Sequence, residues 1–159
     1  MKGPVNVLFC GRGGQGVLTA SEVVGWAAIY TRLHVKKSEV HGMAQRGGSV
    51  ESHLRFGKEV VSPLIPKGRA DHLVPFDAEE GKRLSSFLKP GGNDLLPYLK
   101  RAEMHLPDKK CLNIYMLGAL SRSLPLKADV WTAAIKKVIP EKYLAQNLEA
   151  FKLGREEKI

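Results

Sequence analysis

The 159 residues contain only two cysteines, Cys10 and Cys111, and neither stands in a CxxC pair. That count argues against an iron–sulfur cluster or a structural zinc held by this chain alone, so any redox chemistry has to come from elsewhere. Cys10 ends an apolar run and reads as a buried packing residue. No stretch approaches the roughly 20 apolar residues of a membrane span, so no membrane association is expected. Aromatics make up 7% of the chain and few of them sit among the basic residues, which argues against nucleic acid as a partner. Paired carboxylates, a Ser-His-Asp set and His/Cys metal spacing are all missing, so no catalytic residue and no metal ligand is assigned. Met1-Lys2-Gly3-Pro4 leads directly into an apolar run without the pattern of a signal or transit peptide, and the expected location is the cytoplasm.

What the chain does have is size, glycine and positive charge. The length suits one domain spanning residues 1–159, large enough to bury a core without staples. The formal charge of +9 is spread out: residues 1–92 carry 13 basic and 8 acidic side chains, and residues 93–159 carry 12 and 8. Such a surface suits an anionic ligand or an acidic subunit, or is simply well solvated.

Val5 to Cys10 is a continuous apolar run of the kind found in a strand covered on both faces. It is followed by Gly11-Arg12-Gly13-Gly14-Gln15-Gly16 and then by a helical pattern over 17–32. Strand, glycine turn and helix in that order bring backbone N–H groups and a helix N-terminus together, which is how phosphate is cradled. A GxGxxG alone is weak, but here it has the required context. Arg12 could reach a phosphate or a partner's carboxylate, and Gln15 could bond within the turn. A short strand near 33–37 would complete a parallel crossover. Dinucleotide-binding proteins place an acid about there for the ribose hydroxyls, whereas this chain has Lys36 and Lys37. That points away from NAD and towards a ligand with a ribose phosphate, NADP or coenzyme A. Two solvated surface lysines are the plainer alternative.

Residues 38–48, with three glycines, His41, Gln45 and Arg46, have no apolar period and read as a loop of demanding geometry at the edge where open sheets bind ligands. His41 could serve as a general acid or base, or the loop could be structural. Residues 49–56 alternate as a half-exposed strand, with Gly57-Lys58 as a hairpin turn into 59–61. A strand over 71–76 and a helix over 78–88, stopped by Pro90-Gly91-Gly92, continue the β-α alternation. Helices are then expected over 94–104, 112–124, 127–138 and 141–153. The fold class is α/β: a Rossmann-like, mostly parallel sheet flanked by helices, with a hairpin insertion and a helical C-terminal part.

The runs at 7–21, 38–50 and 62–66, together with Ala70-Asp71, resemble the gamma-type subunit of 2-oxoacid:ferredoxin oxidoreductases. The Glu39 to Gly48 stretch is most similar to the indolepyruvate type. The likeness is close over residues 5–92 and resumes at 113–154. It implies a complex that oxidatively decarboxylates a 2-oxoacid, of the aryl-pyruvate or indolepyruvate type, to an acyl-coenzyme A. Thiamine diphosphate and iron–sulfur clusters would sit on partner subunits, and the electrons would go to ferredoxin or flavodoxin. This chain would supply scaffold and coenzyme A contacts and be inactive alone, and it could form a homodimer in isolation. Carried onto this sequence, the resemblance implies that Gly11, Gly13, Gly14, Gln15 and Gly16 meet the coenzyme's phosphates. Lys36, Lys37 and Ser38 would lie beside them, and His41, Gln45 and Arg46 would face the shared cleft. A stand-alone NADP-binding reductase is the alternative. Family members continue after Lys89-Pro90-Gly91-Gly92 with a further strand and a longer connection, and another strand precedes the stretch at 111–120. Here both are contracted, so either the sheet is reduced or segments are missing at Gly92/Asn93 and Lys110/Cys111.

Overall fold

In a computed structural model, which describes residues 2–43 and 47–159, five strands form one open sheet in the order β2-β3-β1-β4-β5. The strands are β1 (Val5–Arg12), β2 (His34–His41), β3 (Ser49–Gly57), β4 (Ala70–Pro75) and β5 (Leu88–Asp94). β1 is the pivot, since Val7, Leu8, Phe9 and Cys10 are wholly buried by layers on both faces. It pairs parallel with β4 and antiparallel with β3, so the α/β sheet is mixed. β4 pairs parallel with β5, and β2 runs in the same direction as β1 but is separated from it by β3.

Helix α1 (Val17–Tyr30) lies on the face that carries Val7 and Phe9, and it is joined there by the C-terminal helices. The small residues Ala20, Gly25, Ala27 and Ala28 bring it close to the sheet, with Gly25 over Val35 and Leu54. The opposite face, with Leu8, Cys10 and Leu73, is covered by α2 (Ala78–Arg83) and by residues around Ile65 and Leu84. Cys10 is fully buried there, as expected of a packing residue, and burial pushes its thiol up to about 12.

The remaining helices are α3 (Leu96–His105), α4 (Leu112–Ser121), α5 (Ala128–Val138) and α6 (Glu141–Glu156). α4 is buried along almost its whole length, because α1, α3 and α6 all pack on it. α4 and α6 touch backbone to backbone. A Cβ at Gly154 would lie 1.9 Å from the Tyr115 carbonyl oxygen, and one at Gly118 would lie 2.1 Å from that of Phe151. Trp131 of α5, with no exposed surface, sits against Phe151 and completes this layer.

Three elements differ from the sequence expectation. The strand expected over 33–37 runs to His41, because as a sheet edge β2 is largely exposed and shows no apolar alternation to mark its end. The hairpin is β2–β3, closed by Gly42 donating to the Ser49 carbonyl at 2.6 Å. Gly57-Lys58 does not turn back, and 58–69 crosses to β4 without a strand. The helix expected over 78–88 stops at Arg83, and after a single 3₁₀ turn β5 begins. Proline and paired glycines are tolerated in β5 because it is the other edge strand, with a register shift opposite Ala70/His72. β5 is thus built from the Pro-Gly-Gly stretch itself.

Candidate functional site

The glycine turn closes on itself through Gln15. The Gln15 side-chain oxygen accepts from the Arg12 backbone N–H at 2.7 Å, and its amide nitrogen donates to the Phe76 carbonyl at 2.9 Å. Both ends of that amide are therefore spent on tying the end of β1 to the end of β4. Gly11 makes room for the staple, since a Cβ there would lie 2.8 Å from the Gln15 oxygen and 3.0 Å from Val17. Gly14 and Gly16 have φ of 92° and 77°, the left-handed region open to glycine. Gly16 is also pressed by α4: Asn113 donates to its carbonyl at 3.2 Å, and a Cβ would lie 2.3 Å from the Asn113 amide nitrogen.

Gly16 caps α1, with no side-chain cap and no acidic residue in the first turn. The first N–H groups of a helix have no intrahelical acceptor, and the macrodipole adds positive potential there. These groups open onto a cleft of about 420 Å³ between the glycine turn and the β2–β3 hairpin, lined by Gly13, Gly14, Thr19, His41 and Ser49 among others. The far wall is set by register, because Arg12 pairs with Ser49 and His41 with Val50. Gly13 fastens the two walls by donating to the Gly48 carbonyl at 2.9 Å.

Beneath the cleft lies a charged cluster. Glu80, only 4% exposed, accepts from Ser49 Oγ at 2.8 Å and from Arg83 Nε and Nη2 at 3.0 and 2.8 Å. Burial pushes its carboxyl up, but the hydrogen bonds from Arg83 and Ser49 more than offset this and hold it below the usual range. Arg83 also approaches Glu51 at 3.5 Å, and Glu51 lies 3.8 Å from His53 Nε2. His53 Nδ1 accepts from the Ile65 N–H at 3.1 Å, and burial holds its pKa below the usual histidine value despite the nearby Glu51. Arg12 is met by the acids at the head of α2, Glu79 at 3.0 Å and Asp77 at 3.5 Å.

Of the residues singled out in the sequence, the structure brings Gly13, Gly14, Gly16 and His41 to one cleft, with Gly11 and Gln15 shaping the turn behind it. Lys36, Lys37 and Ser38 are not brought there. Lys36 is level with Arg55 and hence with Asn6, six residues before Arg12, which puts it about 20 Å down the sheet. It donates to the Val61 carbonyl at 3.0 Å, while Lys37 pairs with Glu39 at 3.2 Å. Ser38 is level with Leu8, about 13 Å from the turn. The reason is topological: β2 extends to His41, and β3 stands between it and β1. The case for a ribose phosphate beside Lys36 and Lys37 goes with them. Gln45 and Arg46 lie outside the described residues.

Ser49, Glu80, Arg83 and Asn113 were not signalled by the sequence. Asp77-Ala78-Glu79-Glu80 has the spacing of a helix cap, and Asp77 does accept from the Glu80 N–H at 3.0 Å, but nothing local marks the partnership of Glu80 with Ser49.

Comparison with known proteins adds the context. A family model described as pyruvate ferredoxin/flavodoxin oxidoreductase matches residues 6–107 and 95–157. A protein of Thermococcus kodakarensis named indolepyruvate oxidoreductase subunit IorB is 30% identical, over 94% of this chain and 93% of its own length. That alignment runs over 188 positions, more than the 159 residues here, so the relative carries segments that this chain lacks. The crystal structure of a keto/oxoacid ferredoxin oxidoreductase gamma subunit from Geobacter sulfurreducens superposes with a TM-score of 0.78 at 24% identity, covering 97% of this chain and 95% of its own. A 2-oxoglutarate:ferredoxin oxidoreductase from Magnetococcus marinus, solved with 2-oxoglutarate, coenzyme A and succinyl-CoA bound, gives a TM-score of 0.76 at 22% identity. It matches 98% of this chain with 31% of its own.

Proposed function

Because the chain belongs to the pyruvate ferredoxin/flavodoxin oxidoreductase family, we propose that it is the gamma-type subunit of a complex oxidising an aryl 2-oxoacid of the indolepyruvate type to its acyl-coenzyme A. The chain is part of a 2-oxoacid:ferredoxin oxidoreductase complex, as its relatives are. Thiamine diphosphate and iron–sulfur clusters belong to the other subunits of such complexes, and coenzyme A supplies the thiol that takes up the acyl group. On this reading the chain works as a single domain over 1–159, in the cytoplasm, with the thiamine- and cluster-bearing subunits as its partners and ferredoxin as an indirect one. Among the described residues no helix is long and apolar enough to cross a membrane.

The observation that carries the coenzyme A assignment is the uncapped N-terminus of α1 opening onto a cleft floored by glycines. Gly13, Gly14 and Gly16 keep side chains out of the space beside the backbone N–H groups, so that a phosphate can approach them closely. Gly11 and Gln15 act one step back, holding the turn in shape. His41, more than half exposed at the cleft mouth, with Glu39 4.0 Å away, is placed to meet a partner or the far end of the ligand. The backbone N–H groups at the cleft hold an anion, and no side chain lining it is assigned a proton-transfer or nucleophilic step.

The NADP-binding reductase reading rested on the glycine loop together with Lys36 and Lys37, and those lysines lie away from the turn. The chain alone should therefore show no 2-oxoacid oxidation with coenzyme A and ferredoxin, and adding the thiamine- and cluster-bearing subunits should restore it. Turnover by the purified single chain, or failure to co-purify with such subunits, would refute the assignment. Sedimentation of the isolated chain reads the homodimer expectation in the same preparation.

A further inference from the structure

On the other side of the Gln15 staple lies a second groove, of about 580 Å³, within the roughly 300–1,000 Å³ range of small-ligand sites. Its position follows from the topology. β1 leads into α1 on one face of the sheet and β4 leads into α2 on the other, so the connections diverge between the carboxyl ends of these two parallel neighbours. In open α/β sheets that divergence leaves a crevice in which ligands bind. Here α3 and the start of α4 close its outer side.

The groove is apolar below and basic above. Phe76, Leu99 and Leu106 contribute to its floor, and Lys82, Lys100 and Lys109 reach its rim from three separate segments: α2, α3 and the turn before α4. Among the described residues the lysine ion pairs are those of Lys37 and Lys89, so these three have no acidic partner. Two acids also line the groove. Asp77 is already engaged by Arg12 and by the Glu80 N–H, which leaves Glu103 against three ammonium groups. Like charges held around an apolar floor are relieved by an anion, and the floor is relieved by an apolar body that displaces water.

The geometry points to a binding site for a small amphipathic anion, an aromatic or branched apolar body bearing one carboxylate, in the groove between Phe76 and the Lys82, Lys100 and Lys109 rim. The assignment is independent of the coenzyme A reading, since it uses neither the glycine cleft nor the partner subunits. The volume, within the range of small-ligand sites, favours a small molecule over a segment of a partner chain.

Titrating the isotopically labelled full chain with 1-naphthylacetate, followed by amide NMR, tests it. Saturable shifts are expected over residues 76–82 and 96–112, with residues 47–50 of the glycine cleft unmoved. The neutral 1-naphthylacetamide should bind at least about tenfold more weakly, and Lys82→Glu combined with Lys100→Glu should cost the acid about tenfold or more. Equal binding of acid and amide to the unmodified chain would overturn the proposal without relying on any variant. So would an absence of saturable shifts, or undiminished binding by a folded double variant. Binding to the free chain that disappears in the assembled complex would also overturn it, by showing that the groove is covered by a partner subunit.

Discussion

Removing the Glu80 carboxylate should destabilise the chain by about 2–3 kcal/mol, because one buried group joins α2 to the wall of the cleft. It takes up the Ser49 hydroxyl at 2.8 Å and two nitrogens of Arg83 at 2.8 and 3.0 Å. Breaking a fully buried ion pair costs about 3–5 kcal/mol, and a hydrogen bond to a charged group contributes about 1.5–3 kcal/mol. The Arg83 side chain is 49% exposed and can recover water, which brings the expected loss for Glu80→Ala down to that value. The loss appears as a lower denaturation midpoint at unchanged m-value, and as a fall in Tm of about 5–10 °C for a chain of this size. The sign with pH follows from the direction of the shift. A carboxyl held below its usual value in the fold contributes stability above the unfolded pKa, and that contribution is lost as pH falls through the folded one. The difference between the unmodified chain and Glu80→Ala should therefore shrink steadily below about pH 4.3. A loss under about 0.5 kcal/mol at pH 7, or a difference undiminished at about pH 3, would refute the reasoning.

Other consequences concern the layer behind the site and the buried histidines. Gly154→Ala drives a Cβ to 1.9 Å from the Tyr115 carbonyl oxygen, where backbone rather than a flexible side chain must move, so a loss of at least about 3 kcal/mol or failure to fold is expected in thermal unfolding. His53 and His72 are held by burial below the ordinary histidine value. Their contribution is present above about pH 6.5 and declines as pH falls through the folded values, and His53→Gln should flatten part of that slope in a series of denaturation curves. A slope equally steep in the variant would contradict the assignment of His53 as a neutral acceptor.

The parts of the molecule that were legible in the sequence are those whose local pattern and tertiary role coincide. The Val5 to Cys10 run is apolar throughout because both faces of β1 are covered, and the glycines after it stand where the turn needs positive φ or close approach. The C-terminal helices are bounded by residues that also bound them in the structure, give or take a turn. Edge strands are where pattern and role part. β2 is exposed along most of its length, so His34 to His41 carries no alternation, and ending it early placed Lys36 and Lys37 at the ligand edge when His41 holds that position. β5 contains Pro90, Gly91 and Gly92, which read as a helix stop and are acceptable in a strand with only one neighbour. The Ser49–Glu80 contact spans 31 residues, and no spacing rule reaches that far. Gln15 was legible as a residue bonding within the turn, but its second bond, to Phe76, depends on β4 lying beside β1.

The central claim is that the glycine turn and the N-terminus of α1 hold the phosphates of coenzyme A within an assembled oxidoreductase. Calorimetry of coenzyme A binding to the complex, with the unmodified chain and with Gly13→Val, tests it most directly. A Cβ at Gly13 lies 3.3 Å from the Gly47 nitrogen, a contact the neighbouring backbone must shift to admit, so assembly of the variant complex is verified before binding is measured. The account predicts binding weakened at least about tenfold. Unchanged affinity in an intact Gly13→Val complex would contradict it.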